Sequence, residues 1–138
     1  MKENKEKMDM LIKKMVTHLS ESIPTEWDHV YLGVFYSEED EIESVDYQIV
    51  YQSNGKTYDL LEYSFNHDDE IVGNHLDEIY LIAQDIKKLC HDVGDKWSRM
   101  NVRLDDNGKF TINFTYDEKG TLSDRIQQWE KEQKINNN

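Results

Sequence analysis

The chain has 138 residues and a formal net charge of −13 at pH 7; 37% of its residues are hydrophobic and 11% are aromatic. This length suits one compact domain, because domains usually contain about 100–150 residues, and we expect a single domain over residues 1–138. The negative charge argues against nucleic acid or an anionic membrane as a partner, since both would repel the chain, and it favours a basic protein.

Cysteine content and the N-terminal sequence bear on the cellular compartment. Cys90 is the single cysteine, which excludes an intrachain disulfide. The first ten residues, MKENKEKMDM, lack the apolar run of a signal peptide or a membrane span. We therefore expect a cytoplasmic protein.

The charge is unevenly distributed along the sequence. Residues 1–14 carry a net charge of +2 and residues 87–138 carry +1, whereas residues 15–86 carry −16, because Lys56 stands alone against seventeen acids. Like charges at this density destabilise a compact state by repulsion. The concentration indicates either a surface that promotes solubility or a binding surface for a basic partner.

Hydrophobic spacing predicts the first two elements. Between Asn4 and Ser22 the apolar residues recur at intervals of three and four, which predicts an amphipathic helix that ends before Pro24. The segment Trp27–Tyr36 is rich in aromatic and β-branched residues on both faces. We expect it to be a central strand of a sheet.

The dipeptide Asn54-Gly55 predicts a two-residue type I′ turn between two strands, Val45–Ser53 and Lys56–Phe65. In that register three cross-strand pairs lie on the core side: Tyr51 with Tyr58, Ile49 with Leu60, and Tyr47 with Glu62. The outward side would then carry Asp46, Gln48, Val50, Asp59, Leu61 and Tyr63.

A second helix is predicted over Leu76–Val93, where apolar residues again follow helical spacing. Asn74 is its expected N-cap, and Gly94 is placed to end it. The helix should pack broadly across the sheet.

The last third of the chain predicts another hairpin and a final helix. A three-residue Asp106–Gly108 loop pairs Leu104 with Phe110 and Met100 with Phe114, which keeps one apolar and one polar face. A helix over Ser123–Lys134 should dock through Leu122, Ile126 and Trp129. The order αβββαββα indicates an α+β domain with helices packed on a largely antiparallel, five-stranded sheet.

Catalytic chemistry finds little support in the residue pattern. His67, Asp68, Asp69, Glu70 and His75 are metal-ligand types, but their spacing matches no defined site, and a solvated loop explains them better. Cys90 lies on the apolar side of its helix, and its neighbour His91 points about a hundred degrees away. We expect no catalytic residue, no bound metal, no cofactor and no small-molecule substrate.

The candidate binding residues are acidic side chains and one tyrosine. The run Glu38-Glu39-Asp40-Glu41-Ile42-Glu43 predicts an exposed anionic loop, which is either a solvated turn that blocks edge-to-edge aggregation or a docking surface for a basic protein. The outward face of the first hairpin adds an aromatic side chain to this anionic surface. The proposed partner-binding residues are Glu38, Glu39, Asp40, Glu41, Glu43, Asp46, Asp59, Tyr63, Asp68 and Asp69.

Several sequence stretches, read in order, point to a family: Ile23-Pro24-Thr25-Glu26-Trp27, Trp97 before the strand Asn101–Asp105, Asn107-Gly108-Lys109-Phe110, Phe114-Thr115-Tyr116-Asp117 and Arg125–Trp129. Over about residues 8–135 the chain resembles the YezG-like immunity (antitoxin) proteins of Gram-positive bacteria, which include EsaG-type nuclease inhibitors. The resemblance implies a protein that binds and neutralises a secreted toxin, commonly a nuclease of the type VII secretion system. It supplies no binding-residue motif.

Three functional hypotheses follow. The first is a cytosolic immunity protein that inhibits a basic nuclease toxin, of the type VII or LXG type, by stoichiometric binding. The second is an acidic adaptor or secretion chaperone that holds a basic cargo without blocking an active site. The third is a metal-dependent hydrolase built around His67–His75.

Overall fold

A computed structural model describes residues 2–136, which form four helices and five strands. In chain order they are α1 (Lys2–Ser22), β1 (His29–Glu39), β2 (Ile42–Ser53), β3 (Lys56–Asp59), α2 (Leu60–His67), α3 (Glu70–His91), β4 (Arg99–Asp105), β5 (Phe110–Thr115) and α4 (Leu122–Asn136). The strands pair antiparallel in the order β3-β2-β1-β4-β5, so β1 is central. The predicted α+β class and antiparallel sheet are confirmed. Met1, Asn137 and Asn138 of the predicted domain lie outside the described residues.

One face of the sheet carries the main hydrophobic core. Alternate residues of β1 point to this face, and α1 and α3 pack against it and against each other, as their apolar spacing predicts. The fully buried members include Leu19 of α1, Leu32 of β1, Ile79 of α3 and Trp97, which precedes β4.

The opposite face of the sheet is covered by α4. Tyr31, Phe35 and Val50 point to this side, and Trp129 packs on them with Leu122 and Ile126 beside it. The ring of Trp129 meets Phe35 edge-to-face at 6.0 Å between centroids. The predicted docking residues of the final helix are confirmed.

Two of the predicted turns are confirmed with their registers. Asn54 and Gly55 have φ angles of 53° and 77°, as a type I′ turn requires, and Tyr51 pairs with Tyr58. Gly108 has a φ of 87°, and the three-residue loop before Lys109 pairs Leu104 with Phe110 and Met100 with Phe114.

The predicted strand Lys56–Phe65 is wrong beyond Asp59. Asp59 ends β3 and begins α2, because its Oδ1 accepts the backbone N–H of Glu62 at 3.0 Å and caps the helix. The expected pairs Ile49–Leu60 and Tyr47–Glu62 are therefore absent from the pairing of β2 with β3, which spans Val50–Ser53 and Lys56–Asp59.

The predicted start of the second helix is also wrong. The helix α3 begins at Glu70, six residues before Leu76, and its N-cap is Asp69 instead of Asn74. Asp69 Oδ1 accepts the backbone N–H of Val72 at 3.1 Å, which satisfies a donor that the first helical turn leaves free.

Candidate functional site

The run of acidic residues forms the tip of a β-hairpin. Glu38 and Glu39 end β1, Ile42 and Glu43 begin β2, and Asp40-Glu41 make a two-residue turn with φ angles of 52° and 67°. Positive φ at both central residues is the type I′ geometry that suits twisted strands. The predicted projecting loop is thus corrected to a paired hairpin, which we call the acidic tip (residues 38–43).

The acidic tip holds two like charges opposite each other. Glu38 pairs with Glu43 across the strands, an arrangement that repulsion disfavours. The Tyr36 hydroxyl lies 3.0 Å from Glu38 Oε2 and 3.1 Å from Glu43 Oε1, so it can donate its one proton to either carboxylate. Burial and these carboxylates together raise the pKa of Tyr36 well above its ordinary value.

A cation from α3 fixes the acidic tip to the helical layer. Lys87 Nζ lies 2.7 Å from Glu43 Oε2 and 5.1 Å from the centre of the Tyr36 ring. The hydrogen bond from Lys87, followed by the one from Tyr36, lowers the pKa of Glu43. The tip is therefore anchored at its base.

Ile42 gives the acidic tip an apolar centre. It is 72% exposed, although it is a large hydrophobic side chain, and it pairs with Glu39 across the turn. The carboxylate-bearing residues of the tip are exposed as well. Sequence reasoning on charge missed Ile42; the signal for it was an apolar residue inside a run of acids.

A groove adjoins the acidic tip on the side of α3. It has a volume of about 550 Å³ and is lined by Glu43 and Asp46 from β2 and by Tyr80, Gln84 and Lys87 from α3, among others. Asp46 is half-buried there. Asp46 therefore lines the same groove as Glu43 of the acidic tip, and its role in partner binding stays a prediction.

The other predicted binding residues lie at α2 and its junction with α3, where three of them have structural partners. Asp59 caps α2, and its Oδ2 accepts a hydrogen bond from Gln48 at 3.1 Å. Asp69 caps α3 and accepts a hydrogen bond from the Tyr63 hydroxyl at 3.3 Å. Asp68 joins the two helices in the left-handed conformation, with φ 48°.

The expected shared face of Asp46, Asp59, Val50, Leu61 and Tyr63 is wrong. Val50 is buried under α4, while Leu61 and Tyr63 pack against the main core on the other side of the sheet. Because Tyr63 lies in a helix and not in a strand, its position no longer alternates with the residues of β2.

The histidines of the metal hypothesis point to different neighbours. His75 Nδ1 lies 3.0 Å from His18 Nδ1 on α1, whereas His67 Nδ1 lies 3.0 Å from the carbonyl oxygen of Tyr63. Within residues 2–136, no group of three or more histidine, cysteine or acidic side chains is arranged to hold a metal ion. None of the helices in the same range has the length and apolar character needed to cross a membrane.

Comparison with known families places the chain in a class. A family model described as "Immunity protein YezG-like" matches residues 8–135, nearly the whole chain, and so defines it as an immunity protein. Within that class, the chain belongs to the YezG-like family. Membership implies a general role in immunity and a protein toxin as the partner. A search of individually curated proteins found no match.

Proposed function

We propose that this protein is a cytoplasmic inhibitor of a secreted nuclease toxin, exported by a type VII pathway as LXG-type toxins are, and that it acts by stoichiometric binding without catalysis. The family match supports the immunity role. The acidic tip is the observation that carries the choice of a nuclease, because a nuclease presents a basic groove to phosphates. An exposed anionic hairpin is complementary in charge to such a groove.

The construction of the acidic tip suits rapid recognition of a basic surface. Its carboxylates are exposed, so they act on an approaching partner over the range that salt leaves unscreened, about 8–10 Å. Tyr36 and Lys87 hold the base of the hairpin in place before the partner arrives. A preorganised hairpin loses little conformational entropy on binding.

The experiment is a titration of toxin activity. The nuclease domain of a candidate toxin, taken from a gene that neighbours the one for this chain, is held at a fixed concentration well above the dissociation constant, and cleavage of DNA and of RNA is measured as this protein is added. We expect activity to fall linearly to zero at a 1:1 molar ratio. Bovine serum albumin, another acidic protein, serves as the control for unspecific charge effects.

Two other outcomes would contradict the proposal. Binding without loss of nuclease activity would indicate the acidic adaptor instead. Complete inactivation at a small fraction of the toxin concentration would indicate a catalytic mechanism.

A further inference from the structure

Two large apolar side chains are left in solvent where α2 meets α3. Phe65 is 88% exposed and Ile71 is 70% exposed. They are six residues apart in sequence, so their Cα atoms can be at most about 20 Å from each other. We call Phe65, Ile71 and the exposed acids Glu62, Asp68 and Glu70 the corner patch.

The exposure of Phe65 does not arise from a loosely packed helix. Leu60 of α2 is fully buried, and Leu61 and Tyr63 pack against the main core. The Tyr63 ring stacks on His67 at 4.2 Å between centroids, and its hydroxyl donates to Asp69, the N-cap of α3. The corner is therefore a fixed structure that presents Phe65 outward.

The charge around the corner patch identifies the kind of partner. No lysine or arginine occurs between Lys56 and Lys87, and residues 15–86 carry a net charge of −16. A second copy of this chain would bring the same negative surface and be repelled. A basic protein with an apolar pocket is complementary in both respects.

We propose that the corner patch is an anchoring surface for the basic toxin, with Phe65 and Ile71 inserted into apolar pockets and Glu62, Asp68 and Glu70 at the rim. This inference rests on the proposed function. Buried apolar anchors within a polar rim carry most of the energy of a typical interface. The acidic tip attracts the toxin, and the corner patch retains it.

The corner patch and the acidic tip lie near opposite ends of α3. Lys87, which binds Glu43, lies sixteen residues after Ile71 on the same helix, or about 24 Å along its axis. An interface of ordinary size covers about 800 Å² per partner, which is roughly 30 Å across. Sixteen residues also turn an α-helix about 160° beyond whole turns, so Ile71 and Lys87 lie on different flanks of α3, and a toxin that contacts both sites has to reach around the helix.

The test measures binding kinetics of single-alanine variants to a catalytically inactive form of the toxin nuclease domain. Phe65→Ala and Ile71→Ala should each raise the dissociation constant at least about tenfold, chiefly through faster dissociation, with the association rate unchanged within about twofold. Val93→Ala is the matched control, because Val93 is an apolar residue with 63% exposure beyond the far end of α3. It should change the dissociation constant less than about twofold.

Thermal unfolding of each variant separates binding from stability. Because Phe65 and Ile71 are exposed, both alanine variants should have the same melting temperature as the wild type. Wild-type inhibition with unchanged dissociation rates in both variants would overturn the corner patch and leave the proposed function standing. If the wild type binds the toxin without inhibiting it, and both variants lose that binding, the proposed function would be overturned and the corner patch supported. A wild-type protein that does not bind the toxin would overturn both.

Discussion

Gly33 of β1 lies directly beneath Trp129 of α4: a Cβ atom built on Gly33 would come within 2.8 Å of Trp129 Cε2. It would also lie 3.0 Å from two ring atoms of Phe35. The absence of a side chain at this one position lets the indole settle on the sheet, and Trp129 is consequently 1% exposed. The close packing of α4 on the sheet thus depends on a glycine at position 33.

Gly33→Ala should lower the free energy of unfolding by about 1–3 kcal/mol, because the added methyl group overpacks the contact with Trp129. Urea unfolding followed by tryptophan fluorescence measures the change. Gly73→Ala is the control: nothing lies within 4 Å of a Cβ at this position in α3, so alanine should stabilise the helix by about 0.5–1 kcal/mol. Equal stability of the Gly33 variant and the wild type would contradict the assignment.

Trp97→Ala should cost about 3–5 kcal/mol of stability, since the indole is fully buried between the rings of His91 and Phe114. Phe114→Ala should cost less than this range, because Phe114 is only partly buried. Chemical denaturation measures both. A larger loss for Phe114 than for Trp97 would place the centre of this core elsewhere.

Glu39→Lys combined with Glu41→Lys should slow association with the toxin about tenfold or more at low ionic strength, because steering depends on the charge near the contact. Stopped-flow mixing measures the rate. The control, Asp28→Lys with Asp106→Lys, makes the same change in net charge at the other end of β1, roughly 35 Å away. Equal slowing by both pairs would show that total charge matters and the acidic tip does not.

His91 should make stability depend on pH near neutrality. Burial lowers its pKa from the ordinary 6.5, and Nε2 lies 3.2 Å from the carbonyl oxygen of Trp97. As the pH falls through about 6.5, His91 becomes protonated in the unfolded chain but stays neutral in the folded protein. The free energy of unfolding therefore falls, by at most about 1.4 kcal/mol per pH unit.

Urea unfolding between pH 5.5 and 8 tests this dependence. His91→Gln should flatten the slope relative to the wild type, because it removes the imidazole whose pKa folding lowers. A wild-type slope in the His91 variant would assign the dependence to other groups.

Cys90→Ala should retain full inhibition of the toxin. The thiol is buried, and burial raises its pKa, so little reactive thiolate forms. Iodoacetamide labelling of the folded wild type should accordingly be much slower than labelling in urea. Loss of inhibition by a folded Cys90→Ala protein would point to a reactive role for the thiol.

The parts of the fold that could be predicted have strong local signals. The stop at Pro24, the Asn54-Gly55 turn and the left-handed Gly108 each restrict the backbone through the chemistry of one or two residues. The apolar and polar residues alternate along β4 and β5, and of the two loop lengths considered only the three-residue loop keeps Leu104 and Phe110 on the same face. Local geometry and hydrophobic pattern agree at these positions.

The segment after Asp59 could not be predicted in this way because two signals compete. Its aromatic and apolar residues favour a strand, whereas Asp59 followed by Glu62 three residues later is a helix-capping pattern. The helix prevails in a tertiary context where Leu60 is fully buried. The acidic tip differs for another reason: Asp40 and Glu41 occupy positive φ without glycine or asparagine, the usual sequence signals for such a turn.

Arg125 of α4 joins parts of the chain that are far apart in sequence. Its guanidinium donates to the carbonyl oxygens of Tyr36 and Ser98 and binds Glu118, and Tyr36 is 89 residues away. Contacts of such high sequence separation form late in folding, since the loop must close first. Until α4 docks, Tyr31, Phe35 and Val50 remain uncovered. The last helix is therefore expected to act as a late-closing cover, and newly synthesised chains are most prone to self-association just before it closes.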